Sequence, residues 1–98
     1  MPIRIDPEQA ELRALRPAAS WRNARVLEIG CGDGRLTRRL ARLGAQVTAI
    51  DPDRDAIRIA RKKLPRSYAR QLRYAVGTAG RLKFPARTFD IVVFAWSL

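Results

Sequence analysis

Two hydrophobic periods alternate along this chain. Arg25–Ile29 is a short apolar run closed by a glycine cluster, and it predicts a buried strand. Leu36, Leu40 and Leu43 then recur at i, i+4 and i+7 while Arg35, Arg38, Arg39 and Arg42 fill other positions, the pattern of an amphipathic helix. Gly44 stands where its C-terminal cap belongs. Gln46–Asp51 predicts a second strand, and 53–64 a second helix burying Ala56, Ile57, Ala60 and Leu64. The acids Asp53 and Asp55 open that helix and Arg61, Lys62 and Lys63 close it, as its dipole favours. Leu72–Val76 predicts a third strand and 89–95 a fourth, whose run Ile91-Val92-Val93-Phe94 suits burial on both faces. Ahead of these, Asp6-Pro7-Glu8 reads as a helix start, with Leu12 and Leu15 as the apolar edge of that helix and Pro17 as its stop.

Strands alternating with helices over such short links predict a parallel sheet with crossover helices. The fold class is α/β, with a doubly wound, mainly parallel sheet. Residues 1–23 form an N-terminal helix and linker, and 24–98 the main unit.

The composition fits one small globular domain: 98 residues, 47% hydrophobic and 30% charged. With no histidine and one cysteine, a His-ligated metal, a Ser-His-Asp triad, an internal disulfide and a CxxC metal site are all ruled out. No apolar run reaches the ~20 residues of a membrane span, so a cytoplasmic protein with no membrane partner is expected. The net charge is +11, and lysine stands only at 62, 63 and 83, so arginine dominates. Such a charge raises nucleic acid as substrate or partner. The clusters Arg35/Arg38/Arg39/Arg42 and Arg54/Arg58/Arg61/Lys62 nevertheless fall on the polar faces of amphipathic helices, where charge is expected anyway.

The chemistry concentrates in Glu28-Ile29-Gly30-Cys31-Gly32-Asp33-Gly34. A glycine-rich turn from strand to helix lets backbone approach a ligand where a Cβ would collide. The nicotinamide fingerprint needs a glycine at position 35, which is arginine, and a phosphate-cradling loop needs a Lys-Ser/Thr pair, which is missing. Asp51 follows Gly30 by 21 positions, near the ~20 expected of an acid that reads a ribose in such folds. An N-cap role for Asp51 is the plainer alternative, although Asp53 already suits that position. Glu28, an acid inside an apolar strand, needs a partner, and holding the backbone N–H groups of the loop is one role open to it. Cys31 is a small residue filling the tight turn rather than a reactive thiol.

Glu28-x-Gly30-x-Gly32-x-Gly34 after a strand resembles motif I of the S-adenosylmethionine-dependent methyltransferases with the Rossmann-like fold. Ala49-Ile50-Asp51-Pro52 is similar to the end of that family's second strand. Gly77-Thr78-Ala79, then Leu82-Lys83-Phe84-Pro85 and Phe89-Asp90-Ile91-Val92-Val93, resemble its third and fourth motifs. The resemblance covers about 26–98 and implies S-adenosylmethionine as cofactor. It assigns the loop Glu28, Gly30, Cys31, Gly32 and Gly34 to the methionine and ribose portion, Asp51 to the ribose hydroxyls and Pro52 to the adenine face. The adenine edge falls to Thr78 and the Ala79 backbone. Threonine stands at 78 where the family usually has an acid, so that contact would be neutral and weaker.

The resemblance further implies strand order 3-2-1-4 and an N-terminal cofactor-binding half, with most of the acceptor site in strands and helices beyond it. The expected function is methyl transfer to a small-molecule acceptor. A non-catalytic cofactor-binding or structural remnant, and a nucleic-acid methyltransferase, are the alternatives. No catalytic residue is visible, because methyl transfer mainly requires alignment of acceptor and sulfonium methyl. The fourth strand has no charge or proline after Asp90 to blunt its outer edge, so a homodimer or a second chain is expected to cover it.

Overall fold

A computed structural model describes residues 2–5, 10–14, 20–78, 80, 84 and 88–95. Its elements in chain order are strands β1 (Pro2–Ile5), β2 (Ala10–Ala14) and β3 (Arg25–Ile29), helix α1 (Arg35–Arg42), strand β4 (Gln46–Asp51), helix α2 (Arg54–Lys62), strand β5 (Leu72–Val76) and strand β6 (Ile91–Phe94). A 3₁₀ turn, Arg66–Tyr68, leads from α2 toward β5.

All six strands form one sheet in the order β1-β2-β6-β3-β4-β5. The pairs β6-β3, β3-β4 and β4-β5 are parallel. From β5 to β6 this is the expected order 3-2-1-4. Register places Val26 beside Val47 and Ile91, and Val47 beside Leu72. These residues and their i+2 neighbours Ala49, Tyr74 and Val93 therefore share one face. Leu36, Leu40 and Ala41 of α1 and Ile57 and Ala60 of α2 join them in a single buried cluster, so both helices cover that face.

The helix ends follow their residues. Asp53 caps α2, its carboxylate accepting from the Asp55 and Ala56 N–H groups at 2.9 and 3.2 Å. After α1, Gly44 adopts φ +95° and its N–H donates to the Ala41 carbonyl. At the start of β6, Asp90 accepts from the Arg25 N–H at 2.9 Å and pairs with its guanidinium at 3.3 Å, pinning the bottoms of β3 and β6 together.

The N-terminal segment departs from expectation. In place of a helix through Leu12, residues 10–14 form a strand, paired with β1 on one side and β6 on the other. Ala10, Leu12 and Ala14 alternate with Glu11 and Arg13, a period of two that fits a strand as well as the leucine spacing fits a helix. An unfilled ladder at β6 decides between them, because tertiary pairing outweighs a weak local cap signal. The same pairing corrects the expectation of a bare edge. Leu12 lies opposite Val93 and Ala14 opposite Ile91, in antiparallel register. The ladder groups that were to recruit a second chain are taken by the protein's own N-terminal hairpin.

Candidate functional site

Every described candidate residue lies at the C-terminal edge of β3, β4 or β5 or in the loop that follows β3. Three tight backbone conformations shape that loop: Gly30, Gly32 and Gly34 have φ of +83°, +56° and +88°. Two of these positions also lack room. A Cβ on Gly30 would sit 2.5 Å from the Ala95 carbonyl oxygen, and one on Gly34 would run into the Tyr74 hydroxyl.

The loop's amides are largely committed within the protein. Gly30 and Cys31 both donate to the Ile50 carbonyl, at 2.9 and 3.1 Å, and Gly34 donates to the Cys31 carbonyl at 3.0 Å. The Gly32 N–H donates to Asp51 Oδ2 at 2.9 Å, and the Arg35 N–H to Asp33 Oδ1 at 3.3 Å. A loop that cradles phosphate keeps its N–H groups turned outward for the anion. Here five of them are committed to carbonyls and carboxylates, and the acids Glu28 and Asp51 lie beside the turn, while Asp33 is exposed and paired with Lys63 at 3.6 Å. This setting disfavours a polyphosphate and favours a ligand that is neutral or cationic where it meets the loop.

The N-cap of α2 is Asp53, while Asp51 bridges two neighbouring segments. Its Oδ1 accepts from the Asp53 N–H at 2.9 Å, just ahead of α2, while its Oδ2 reaches across to Gly32 in the loop after β3. Each carboxylate oxygen has about two acceptor sites, so each retains one for a ligand hydroxyl. The residue is half-buried, at the end of the strand between β3 and β5. Pro52 is exposed directly after it. Thr78 is exposed two residues beyond β5, and the Gly77 N–H ties that turn back to the Asp51 carbonyl at 3.0 Å. Ala79 lies outside the described residues.

Glu28 has no solvent exposure, and its Oε1 accepts from the Thr37 hydroxyl. The carboxylate is thus held from α1 beneath the loop. Burial pushes the Cys31 thiol far up, with the Glu28 and Asp51 charges adding, so it stays protonated. Burial likewise raises the Tyr74 hydroxyl, offset by Thr37 and the Arg38 charge.

Thr37 and Tyr74 are absent from the sequence reading. Thr37 carried a signal: it is the polar residue beside Leu36 and Leu40 on the apolar face of α1 and is fully buried. Tyr74 carried none, since a tyrosine in a strand is ordinarily core.

Comparisons with known proteins agree with this fold. A family profile described as "Methyltransferase domain" matches residues 26–98. A ubiquinone biosynthesis O-methyltransferase of Methylocella silvestris is 45% identical over 69 residues, which are 70% of this chain and 27% of that protein. A solved SAM-dependent methyltransferase of Methanosarcina mazei superposes with a TM-score of 0.59 at 33% identity, covering 69% of this chain and 34% of that one. A solved S-adenosylmethionine-dependent methyltransferase of Mesorhizobium loti shares the fold with a TM-score of 0.64 at 24% identity, covering 74% and 32%. The chain spans about a quarter of the length of the curated relatives it matches.

Proposed function

Since the chain belongs to the methyltransferase-domain family over residues 26–98, we propose that it binds S-adenosylmethionine at this edge and serves methyl transfer to a small-molecule acceptor. The observation that carries the reading is Asp51, a half-buried carboxylate tied by one oxygen to the glycine loop and by the other to the start of α2. Held from both sides, its remaining acceptor sites suit the two hydroxyls of a ribose. The residues present fit this cofactor better than a nucleotide phosphate, because the loop amides are committed and the acids Glu28 and Asp51 favour a cation.

The proposed site consists of Glu28, Gly30, Cys31, Gly32, Gly34, Asp51, Pro52, Thr78 and Ala79, within a cofactor-binding unit of residues 24–98. Bound there, the cofactor supplies an electrophilic methyl on a sulfonium. The protein's part is orientation: the Gly30 and Gly34 turns set the approach of the backbone, Asp51 fixes the ribose, and Glu28 supports the loop from below. Proximity is enough for such a transfer without a dedicated base.

A small-molecule acceptor is supported by the relative named as a ubiquinone biosynthesis O-methyltransferase. No helix among the described residues is long and apolar enough to cross a membrane, which is compatible with the proposed cytoplasmic location. The homodimer or second chain is no longer needed to cover β6.

Calorimetric titration with S-adenosylmethionine and its demethylated product tests the reading. Saturable one-site binding is expected, and its absence overturns the proposal. Radiolabelled methyl transfer to hydroxyl-bearing small molecules, with RNA and DNA in parallel, then separates the acceptor classes. Binding without transfer to any acceptor would favour the non-catalytic alternative.

A further inference from the structure

Going beyond the cofactor site and independent of it, we infer that the groove between α2 and β5 binds the sugar-phosphate backbone of a nucleic acid. The groove has a volume of about 450 Å³ and is lined by Arg54, Arg58, Arg61 and Lys62 of α2, over Ile57 and Val76. It lies at the β5 edge of the sheet, on the far side from the N-terminal hairpin.

The cations follow helical spacing at i, i+4, i+7 and i+8, so they share one flank of α2. Arg61 is fixed there by donating to the Tyr74 carbonyl at 2.8 Å. Arg58 meets Asp55 at 3.7 Å, with both side chains largely exposed, so the pairing cancels little of its field. Among the described residues, the other three meet no acid. The neighbouring chain reinforces the sign beyond Asp53 and Asp55, which flank Arg54: from residue 56 to residue 78 there are seven Lys and Arg and no Asp or Glu. A solvated helix face needs neither a concave shape nor a stretch cleared of acids.

The dimensions select the ligand. Arg54 and Lys62 are eight residues apart, about 12 Å along a helix axis, so a single phosphate cannot meet all four cations. A nucleic-acid strand carries one phosphate per nucleotide, so a groove of this length spans more than one of them. Among the described residues the lining has no aromatic on which a base could stack, so the contact would follow the backbone and ignore sequence. A bilayer fits poorly, because the apolar floor residue Ile57 is only 1% exposed and cannot insert.

The test is fluorescence anisotropy of the full chain against a short labelled DNA duplex and a single-stranded RNA of mixed sequence, across a range of KCl concentrations. The expected slope of log K against log salt is roughly −2 to −3. The triple variant Arg54→Gln/Arg58→Gln/Lys62→Gln leaves the structural Arg61 in place. It should weaken binding at least tenfold at low salt and flatten the slope by roughly two to three. The charge-matched variant Arg35→Gln/Arg39→Gln/Arg42→Gln on α1 should change the slope far less. Equal flattening by both variants, no binding to either nucleic acid, or tighter binding to phosphatidylglycerol vesicles would overturn the inference. Should the triple variant lose its fold by circular dichroism, the single variants Arg54→Gln and Lys62→Gln decide, each flattening the slope by just under one. S-adenosylmethionine titrations of the same variants should match the parent, which keeps this outcome separate from that of the cofactor proposal.

Discussion

Gly30 lies with its α-carbon against the backbone carbonyl of Ala95, so closely that a Cβ would stand 2.5 Å from that oxygen. The contact joins the turn after β3 to the end of β6, and neither partner is a side chain that could swing away. Gly30→Ala must accept both the clash and a left-handed φ of +83°. The expected cost is roughly 2–5 kcal/mol of unfolding free energy, read from urea denaturation, with loss of cofactor affinity even where the fold persists.

Asp51 makes a second prediction. In the proposed site Asp51→Ala would remove a two-bond contact to a ribose diol, and affinity for S-adenosylmethionine should fall by about 2 kcal/mol, roughly thirtyfold. The substitution also frees the Gly32 and Asp53 N–H groups that the carboxylate now holds. Calorimetry is therefore paired with a thermal melt, and equal affinity in a folded variant would exclude Asp51 from the site.

Beneath the loop, Thr37→Val preserves volume but removes the hydroxyl that Glu28 accepts from. With Glu28 fully buried, about 2 kcal/mol of stability should be lost. Thr37→Ser should recover most of it. Denaturant midpoints of the three proteins test this, and no difference between Val and Ser would mean that the hydroxyl does not matter.

Alkaline pH should destabilise the fold. Cys31 and Tyr74 both release their protons less readily when folded, chiefly through burial, so the unfolded chain binds fewer protons as pH rises. Stability is intact below the ordinary cysteine value of 9.0 and falls above it, with Tyr74 adding to the loss beyond 10.0. Each group contributes up to ~1.4 kcal/mol per pH unit. Cys31→Ala should flatten the first part of the decline in urea midpoints. In the folded protein at neutral pH the thiol should resist alkylation, and it should become modifiable on denaturation.

The N-terminal hairpin should keep the protein from associating through β6. Deleting residues 1–14 would strip β2 from Ile91–Phe94, leaving a ladder with no charge to blunt it. Sedimentation at micromolar concentration should then show association in the deletion variant but not in the full chain.

The parallel half of this fold was legible because its signals are local. Apolar runs at 25–29 and 91–94, leucines at helical spacing and an Asp-capped second helix each need only neighbouring residues to be read. The glycine loop with Asp51 was legible because few arrangements use that spacing. The β2 strand was not, since Leu12 acquires its meaning only from Val93, far along the chain. The contact of Thr37 with Glu28 was hidden in the same way: sequence shows a buried acid in need of a partner but not which helix residue supplies it.

The pairing of β2 with β6 also bears on synthesis at the ribosome. Glu11 must wait for Phe94, and Leu12 for Val93, before either finds its ladder partner. The hairpin emerges first and is left without a platform while the intervening strands and helices are made. Contacts of such long sequence separation slow folding, and an unpaired hairpin in a nascent chain is open to wrong partners. Completion of the sheet is thus tied to the emergence of β6, so a ribosome stalled before residue 91 would hold a chain whose opening strands have nowhere to dock.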